Sequence, residues 1–200
     1  MAIAAGYAVT FLDDGGNQIE TRPLTEPVSA FSWRESSLWT ANGRTAALVE
    51  HREDGGTASF ALNHVPAALD AHEKYLWSTD AKGKQVRQFL ITRSMLGIFL
   101  QPLDLYDLPD FTVECFDMDP EGTLWIVDAP SRRLYFMKAD GSVYKPVKSA
   151  PLAPVIGGAG RVKGISVKGG RIWLLVSPAD GQGASVLKRL SLRRLAWTPA

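Results

Sequence analysis

The residues of this chain considered first for chemistry are its three histidines, its one cysteine and a serine two residues after a glycine. Imidazole and thiolate groups at short, regular spacing would hold zinc, because they are its preferred ligands. His51, His64 and His72 are scattered instead, and Cys115 has no second thiol with which to form a cluster. The sequence therefore predicts no metal site built from these residues.

Two further segments come close to functional motifs without matching them. The glycine-rich run from Gly157 to Gly164 misses G-x-G-x-x-G by one residue and follows a proline-containing linker rather than a strand. We interpret this run as a flexible loop between repeats. Ser166 lacks the second glycine of a nucleophile elbow and falls in a predicted hairpin, so we interpret it as a strand residue. The sequence thus predicts no catalytic residue and no cofactor.

Composition and charge exclude several classes of protein. The 200 residues are 46% hydrophobic, so we expect a buried core. The 22 basic and 21 acidic side chains nearly balance, so we expect no electrostatic field that attracts nucleic acid. No run reaches the roughly eighteen apolar residues of a membrane span. One cysteine, and a start without a signal-peptide pattern, favour a soluble protein of the cytoplasm, or of a virion or other assembly made there.

The clearest structural signal is an internal repeat of an aliphatic residue followed by tryptophan. The four tryptophans are separated by 38, 48 and 48 residues. Each pair follows a polar or glycine-bearing turn and a short alternating segment, which together predict a hairpin. We expect all eight residues in the core between sheets. The pairs are Leu38-Trp39, Leu76-Trp77, Leu124-Trp125 and Ile172-Trp173.

A second hairpin repeats further along the unit. Asp54-Gly55 and Asp140-Gly141 both lie fifteen and sixteen residues after their tryptophan. Asp-Gly between alternating runs predicts a tight turn in which both residues take positive φ. Four strands in about 40 to 50 residues is the period of a propeller blade, whose two apolar faces must be covered by neighbouring blades.

The predicted fold is all-β, a small β-propeller of about four four-stranded blades in one domain over residues 1–200. A further Asp14-Gly15-Gly16 turn adds an N-terminal half-blade hairpin. Either the ring closes with four and a half units, or one edge stays open and pairs with another subunit. The predicted bounds are 6–25 for the half-blade and 27–63, 65–108, 111–148 and 161–197 for the blades.

The stretch from Cys115 to Lys145, and above all Asp119 to Ile126, resembles the repeat shared by NHL-type propellers and the gluconolactonase and senescence-marker group. In those families a D-x-x-G-x-L-W-like turn opens the blade and an Asp-Gly hairpin closes it, as Asp140-Gly141 does here. The resemblance covers one blade and implies a propeller fold.

The same resemblance implies one candidate metal site. The lactonase group holds a divalent metal on the propeller axis with acidic and Asn side chains from several blades, and Asp70 and Asp117 are the matching candidates. Units one and four place Ser32 and Ser166 at the equivalent positions, which leaves half of a carboxylate set. The alternative interpretation is that both aspartates are satisfied by hydrogen bonds or face solvent.

Two segments are candidate contacts with another protein. The apolar loop from Gln101 to Asp110 either covers a blade edge or binds another chain. The basic and apolar stretch near the end of the sequence either docks on a partner or forms a final strand with solvated cations. The candidate residues are Leu103, Leu105, Tyr106 and Leu108 in the loop, and Arg189, Arg193, Arg194 and Trp197 in the basic stretch.

These observations leave two hypotheses about function. The first is a non-enzymatic interaction or scaffold propeller that binds a protein partner or forms a homo-oligomer, for example as a subunit of a larger assembly such as a viral tail. The alternative is a metal-dependent, lactonase-type hydrolase with its site on the propeller axis. A lectin-like propeller with identical pockets is not expected, because the turns before the tryptophans differ in every unit.

Overall fold

The structure of the protein is a computed structural model, in which antiparallel strands form nearly all of the regular structure. It describes residues 2–5, 7–13, 17–80, 84–119, 121–158, 160–180 and 184–200. The predicted Asp14-Gly15-Gly16 turn lies outside these residues. The prediction of an all-β fold is confirmed.

The chain divides into two compact units. Unit 1 comprises Met1–Ala81 and Gln88–Leu103, and unit 2 comprises Lys82–Arg87 and Asp104–Ala200. Two long strands, β10 (Gln85–Ser94) and β11 (Gly97–Asp107), contribute residues to both units. Each unit is built from sheets in which consecutive strands pair through short turns.

Unit 1 contains a three-stranded sheet, a four-stranded sheet and the strand pair that continues into β10 and β11. The predicted two-stranded half-blade gains a third strand, because Ala2–Ala5 pairs with β2. The strands are β1 (Ala2–Ala5), β2 (Ala8–Leu12), β3 (Gln18–Pro23), β4 (Ala30–Arg34), β5 (Ser37–Ala41), β6 (Ala47–Arg52), β7 (Thr57–Ala61), β8 (Pro66–His72) and β9 (Tyr75–Asp80).

Unit 2 contains a four-stranded antiparallel sheet and a three-stranded sheet, joined by one short helix. The end of β11 also meets β15, where Asp107 lies opposite Val143. The elements are β12 (Val113–Met118), β13 (Leu124–Asp128), β14 (Arg133–Asp140), β15 (Val143–Pro151), α1 (Ala153–Ile156), β16 (Gly160–Lys168), β17 (Arg171–Pro178), β18 (Val186–Ser191) and β19 (Thr198–Pro199).

The four tryptophans of the repeat lie in β5, β9, β13 and β17, the second strand of each predicted blade. Trp39 is wholly buried, and Trp77 and Trp125 are buried to within a few per cent. Trp173 is only half-buried. Successive residues of a strand point to opposite faces of its sheet, so each aliphatic neighbour is buried on the face opposite its tryptophan. Those neighbours, Leu38, Leu76, Leu124 and Ile172, are each fully buried.

Two predictions about loops are wrong. The segment from Gln101 to Asp110 is strand as far as Asp107, because β11 pairs with β10 and, at Asp107, with β15. The glycine-rich run becomes strand from Gly160, since β16 pairs with β17 over its whole length. After β18, a 3-10 turn over Leu192–Arg194 redirects the chain to β15.

Candidate functional site

Asp70 has a structural partner within unit 1. The Ser32 hydroxyl donates to Asp70 Oδ1 at 3.0 Å, and the same hydroxyl accepts from the backbone N–H of Ala71 at 2.8 Å. Ser32 is 8% exposed, so this contact joins the first strands of two neighbouring sheets in a mostly dry setting. Asp70, which the family resemblance suggests as a metal ligand, therefore takes part in a contact between β4 and β8.

Asp117 occupies the corresponding place in unit 2. Its Oδ2 accepts from the backbone N–H of Val167 at 2.5 Å, which joins β12 to β16. Ser166, the neighbour at the equivalent repeat position, is exposed. In the part of the chain that the structure describes, no group of three or more His, Cys, Asp or Glu side chains could hold a metal ion. Asp70 and Asp117 lie in different units, and each is engaged in its own unit.

The hairpin of β10 and β11 carries an exposed apolar face in unit 1. Met95 and Leu96 form its turn and are 105% and 90% exposed, while Phe99 and Leu103 are 50% and 42% exposed. Turns usually hold glycine, asparagine or aspartate, so two large apolar residues at this tip are unusual. We call Met95, Leu96, Phe99 and Leu103 the hairpin surface.

An ion pair with one buried partner holds the hairpin close to its tip. Arg93, two residues before Met95, donates to Glu50 on β6, whose side chain is wholly buried. Arg93 also donates to the Ser37 hydroxyl at 3.4 Å. If Arg93 moved away, the charge of Glu50 would remain buried and uncompensated, so this ion pair resists displacement of the hairpin.

The other residues predicted as contacts in this region lie in unit 2 and differ among themselves. Leu105 is 44% exposed, whereas Leu108 is buried. Tyr106 is half-buried against the Tyr144 ring at 5.0 Å, and burial, followed by the charge of Asp104, raises its pKa. Tyr106 and Leu108 therefore pack inside unit 2.

The basic stretch folds back onto unit 2. Trp197 packs edge-on against Trp125 at 6.1 Å and donates from its indole nitrogen to the Leu192 carbonyl at 2.8 Å. Leu195 is buried beside them. Arg189, Arg193 and Arg194 are exposed. The aromatic member of this predicted contact is thus an internal packing residue, and its cations remain in solvent.

A cleft lies between the sheets β12–β15 and β16–β18 of unit 2. One cavity of about 390 Å³ adjoins a second of about 370 Å³, and Arg161 and Ala179 line both. Four buried apolar side chains and four charged residues line the first cavity. The apolar residues are Val127, Leu152, Ile156 and Val162, and the charged ones are Glu114, Asp128, Arg132 and Arg161.

Glu114 organises the charged side of this cleft. Arg161 Nη2 donates to its Oε2 and Lys163 Nζ to its Oε1, both at 2.7 Å. Burial alone would raise the pKa of Glu114, but the hydrogen bonds and charges of Lys163 and Arg161 outweigh it and hold the pKa below its usual value. The carboxylate is therefore ionised at neutral pH and forms ion pairs with Arg161 and Lys163 beside the cleft.

Arg132 fixes the opposite wall. Its guanidinium donates to the carbonyls of Gly157, Gly158 and Gly160 at 2.5, 2.7 and 2.9 Å. Arg132 has a φ of 53°, a region that costs a residue with a Cβ about 1–2 kcal/mol. The run interpreted from sequence as a flexible loop is thus tied down at three carbonyls.

Sequence reasoning missed this cleft because its residues come from separate strands. Glu114 precedes Cys115 in one first strand, and Arg161 and Lys163 begin another 47 and 49 residues later. The alternation of Arg161 and Lys163 at the start of a strand was the available signal, since alternate residues share a face.

Comparison with known proteins identifies the fold. The luciferin-regenerating enzyme is similar with a TM-score of 0.63 at 13% identity, over 97% of this chain and 74% of that protein. The glutaminyl cyclase of Myxococcus xanthus gives 0.57 at 10% identity, over 92% and 83%. This chain has a β-propeller-type fold. The propeller expected from the tryptophan repeat and from the resemblance is therefore confirmed.

The comparisons leave the activity of this propeller-type chain open. Virginiamycin B lyase from Staphylococcus aureus has a TM-score of 0.52 at 15% identity over 84% of this chain. The chain spans 55% of the length of that lyase and 62% of a streptogramin B lyase. No protein-family model matches the sequence, and no curated protein matches it. Among the described residues, no helix is long and apolar enough to cross a membrane.

Proposed function

We propose that this propeller-type chain is a non-enzymatic assembly subunit whose interface is the hairpin surface. The observation that carries the proposal is the exposure of Met95 and Leu96 at the tip and of Phe99 and Leu103 behind them. Contiguous exposed apolar side chains mark interaction sites, because leaving them in water is unfavourable by about 25 cal/mol per Å².

The occupant proposed for this surface is a second copy of the chain. Thr92, Ser94 and Gln101 beside the surface are uncharged and Arg93 is paired with Glu50, while the exposed Asp104 follows Leu103. A two-fold interface brings a patch onto its own copy, so a patch whose own side chains are uncharged meets little repulsion. The surface therefore suits self-association.

Side chains rather than backbone would make this contact. Pro102 lies in β11 and has no N–H to donate, so β11 cannot donate a backbone hydrogen bond to a further strand at this residue. The ion pair of Arg93 with the buried Glu50 keeps the hairpin in place before association, so little ordering is required on binding.

The test is light scattering after size exclusion over a range of protein concentrations. We expect a mass above that of the monomer, and we expect Leu96→Ser and Phe99→Ser each to weaken association about tenfold or more. Ile19→Ser is the matched control, because Ile19 is 68% exposed on β3 in the same unit. Circular dichroism of each variant checks that the fold is retained.

Two outcomes would overturn the proposal. One is a wild-type protein that stays monomeric at about 100 µM, well above the Kd of a specific interface. The other is an equal effect of Leu96→Ser and Ile19→Ser. A monomer that sediments with phosphatidylcholine vesicles, and loses this binding in Leu96→Ser, would assign the hairpin surface to lipid instead.

A further inference from the structure

We infer that the cleft of unit 2 binds an organic anion with an apolar body. This inference is independent of the hairpin surface, which lies in unit 1. The first cavity of about 390 Å³ is within the range of sites for small molecules. Its four buried apolar side chains, described above, offer an apolar wall of the kind that such sites use to exclude water from a ligand.

The hydrogen-bonding groups at the rim favour a ligand that accepts hydrogen bonds. Both oxygens of Glu114 already accept a bond from a cation. Asp128 is similarly engaged, since its oxygens accept from the N–H groups of Thr112 and Ser131 and from the Ser131 hydroxyl. Asp180, which lines the adjoining cavity with Arg161 and Lys163, also has an interaction partner, so these carboxylates are committed to the protein.

Arg161 and Lys163 each have further N–H donors besides the one that binds Glu114. A guanidinium has five N–H donors, and Arg161 directs Nη2 to Glu114. An ammonium has three, and Lys163 directs one to Glu114. The side chains of Arg161 and Lys163 are 49% and 45% exposed, so their other donors are accessible. A carboxylate or sulfonate beside Arg161 would complete these bonds, and charge-assisted hydrogen bonds are the strong ones.

The cleft is also formed in advance of binding. Arg132 holds the glycine carbonyls of one wall at the expense of an unfavourable φ of 53°. Gly160 is required at the corner, because a Cβ there would lie 2.5 Å from the Ile156 carbonyl oxygen. A preformed wall reduces the ordering that a ligand must impose.

The test uses two fluorescent dyes with the same kind of apolar body. 1-Anilinonaphthalene-8-sulfonate carries a negative charge, and N-phenyl-1-naphthylamine is its uncharged counterpart. In titrations of the wild-type protein, we expect one saturable site for the sulfonate and about tenfold weaker binding of the neutral dye. Equal affinity for the two dyes, or no saturable binding of the sulfonate, would overturn the inference.

Substitution then locates the site. Arg161→Gln should weaken binding of the sulfonate dye about tenfold, since Lys163 alone still neutralises Glu114. Arg171→Gln is the matched control, because Arg171 is an exposed cation at the far end of β17. The double variant Leu96→Ser with Phe99→Ser should bind the dye as the wild type does. A loss in that variant, or an equal effect of Arg161→Gln and Arg171→Gln, would place the dye elsewhere and refute the assignment.

Discussion

At the residue level, Asp117 illustrates how a position that suggests metal binding can serve the fold instead. Its carboxylate receives the Val167 N–H at 2.5 Å across two sheets of unit 2. Asp117→Ala should lower the free energy of unfolding by about 1–2 kcal/mol, because that half-buried N–H loses a charged acceptor. Urea denaturation measures the change, and Ser166→Ala, at an exposed position nearby, should stay within about 0.5 kcal/mol of wild type.

The lactonase alternative predicts instead that Asp117 binds a metal ion. A metal held by the native state would raise the melting temperature. Because Asp70 and Asp117 are each engaged within their own units, we expect calcium or zinc to leave the melting temperature of the wild type unchanged. A metal-dependent rise that Asp117→Ala abolishes would favour the hydrolase hypothesis over a scaffold.

Glu114 gives the protein a specific dependence on pH. Its pKa is lowered in the folded state by Lys163 and Arg161, so the ionised carboxylate stabilises the fold above its unfolded-state pKa. That stabilisation is lost as the pH falls through the folded-state pKa. Glu114→Gln should therefore be less stable than wild type at pH 7, and the difference should shrink steadily below pH of about 4.

The measurement for Glu114 is thermal unfolding of both proteins across that range. Glu121→Gln serves as the control, since Glu121 is exposed in a turn of the same unit. A gap between Glu114→Gln and wild type that stays constant with pH would mean that the charge of Glu114 does not contribute as described.

At the level of elements, the sequence predicted strands and hairpins better than turn geometry. The Asp54-Gly55 and Asp140-Gly141 hairpins both form, but only the glycines take positive φ, at 81° and 60°. Asp140 ends β14 instead, and the turn lies one residue further on. Alternation of apolar residues fixes which face is buried, whereas the exact turn depends on contacts with neighbouring strands.

The turn that carries the family resemblance is organised by Asp119. Its Oδ1 accepts from the N–H groups of Glu121 and Thr123 at 3.0 and 2.8 Å, and its Oδ2 lies 3.4 Å from the Trp125 indole nitrogen. Asp119→Ala should destabilise the protein by about 1–3 kcal/mol, and Asp119→Asn by less, because asparagine keeps one acceptor for the backbone. Denaturant unfolding followed by tryptophan fluorescence measures both, and equal losses would show that the turn bonds contribute little.

At the level of the whole molecule, the repeat identified the fold but neither surface. The hairpin surface depends on a strand longer than its counterparts, which the sequence suggested only as an apolar loop. The cleft depends on side chains brought together from β12 and β16 by packing of their sheets. A local pattern records which residues share a face, but not which faces of distant strands meet.

The segment after β18 is expected to hold unit 2 closed. Trp197 packs on Trp125, and β19 pairs with β15 through Thr198 and Ser149. Trp197→Ala should cost about 2 kcal/mol, below the range for a fully buried ring because Trp197 is half-buried. Cys115 reports this loss, since it lies in the same core and is 6% exposed.

Burial raises the pKa of the Cys115 thiol, so a thiol reagent reacts with it only when unit 2 opens. When closing is faster than reaction, the labelling rate follows the population of the open form. A loss of about 2 kcal/mol should then speed labelling of Trp197→Ala roughly thirtyfold. Arg194→Ala, at an exposed position in the same segment, should label within about twofold of wild type. Labelling of Trp197→Ala at the wild-type rate would show that unit 2 opens without releasing this segment.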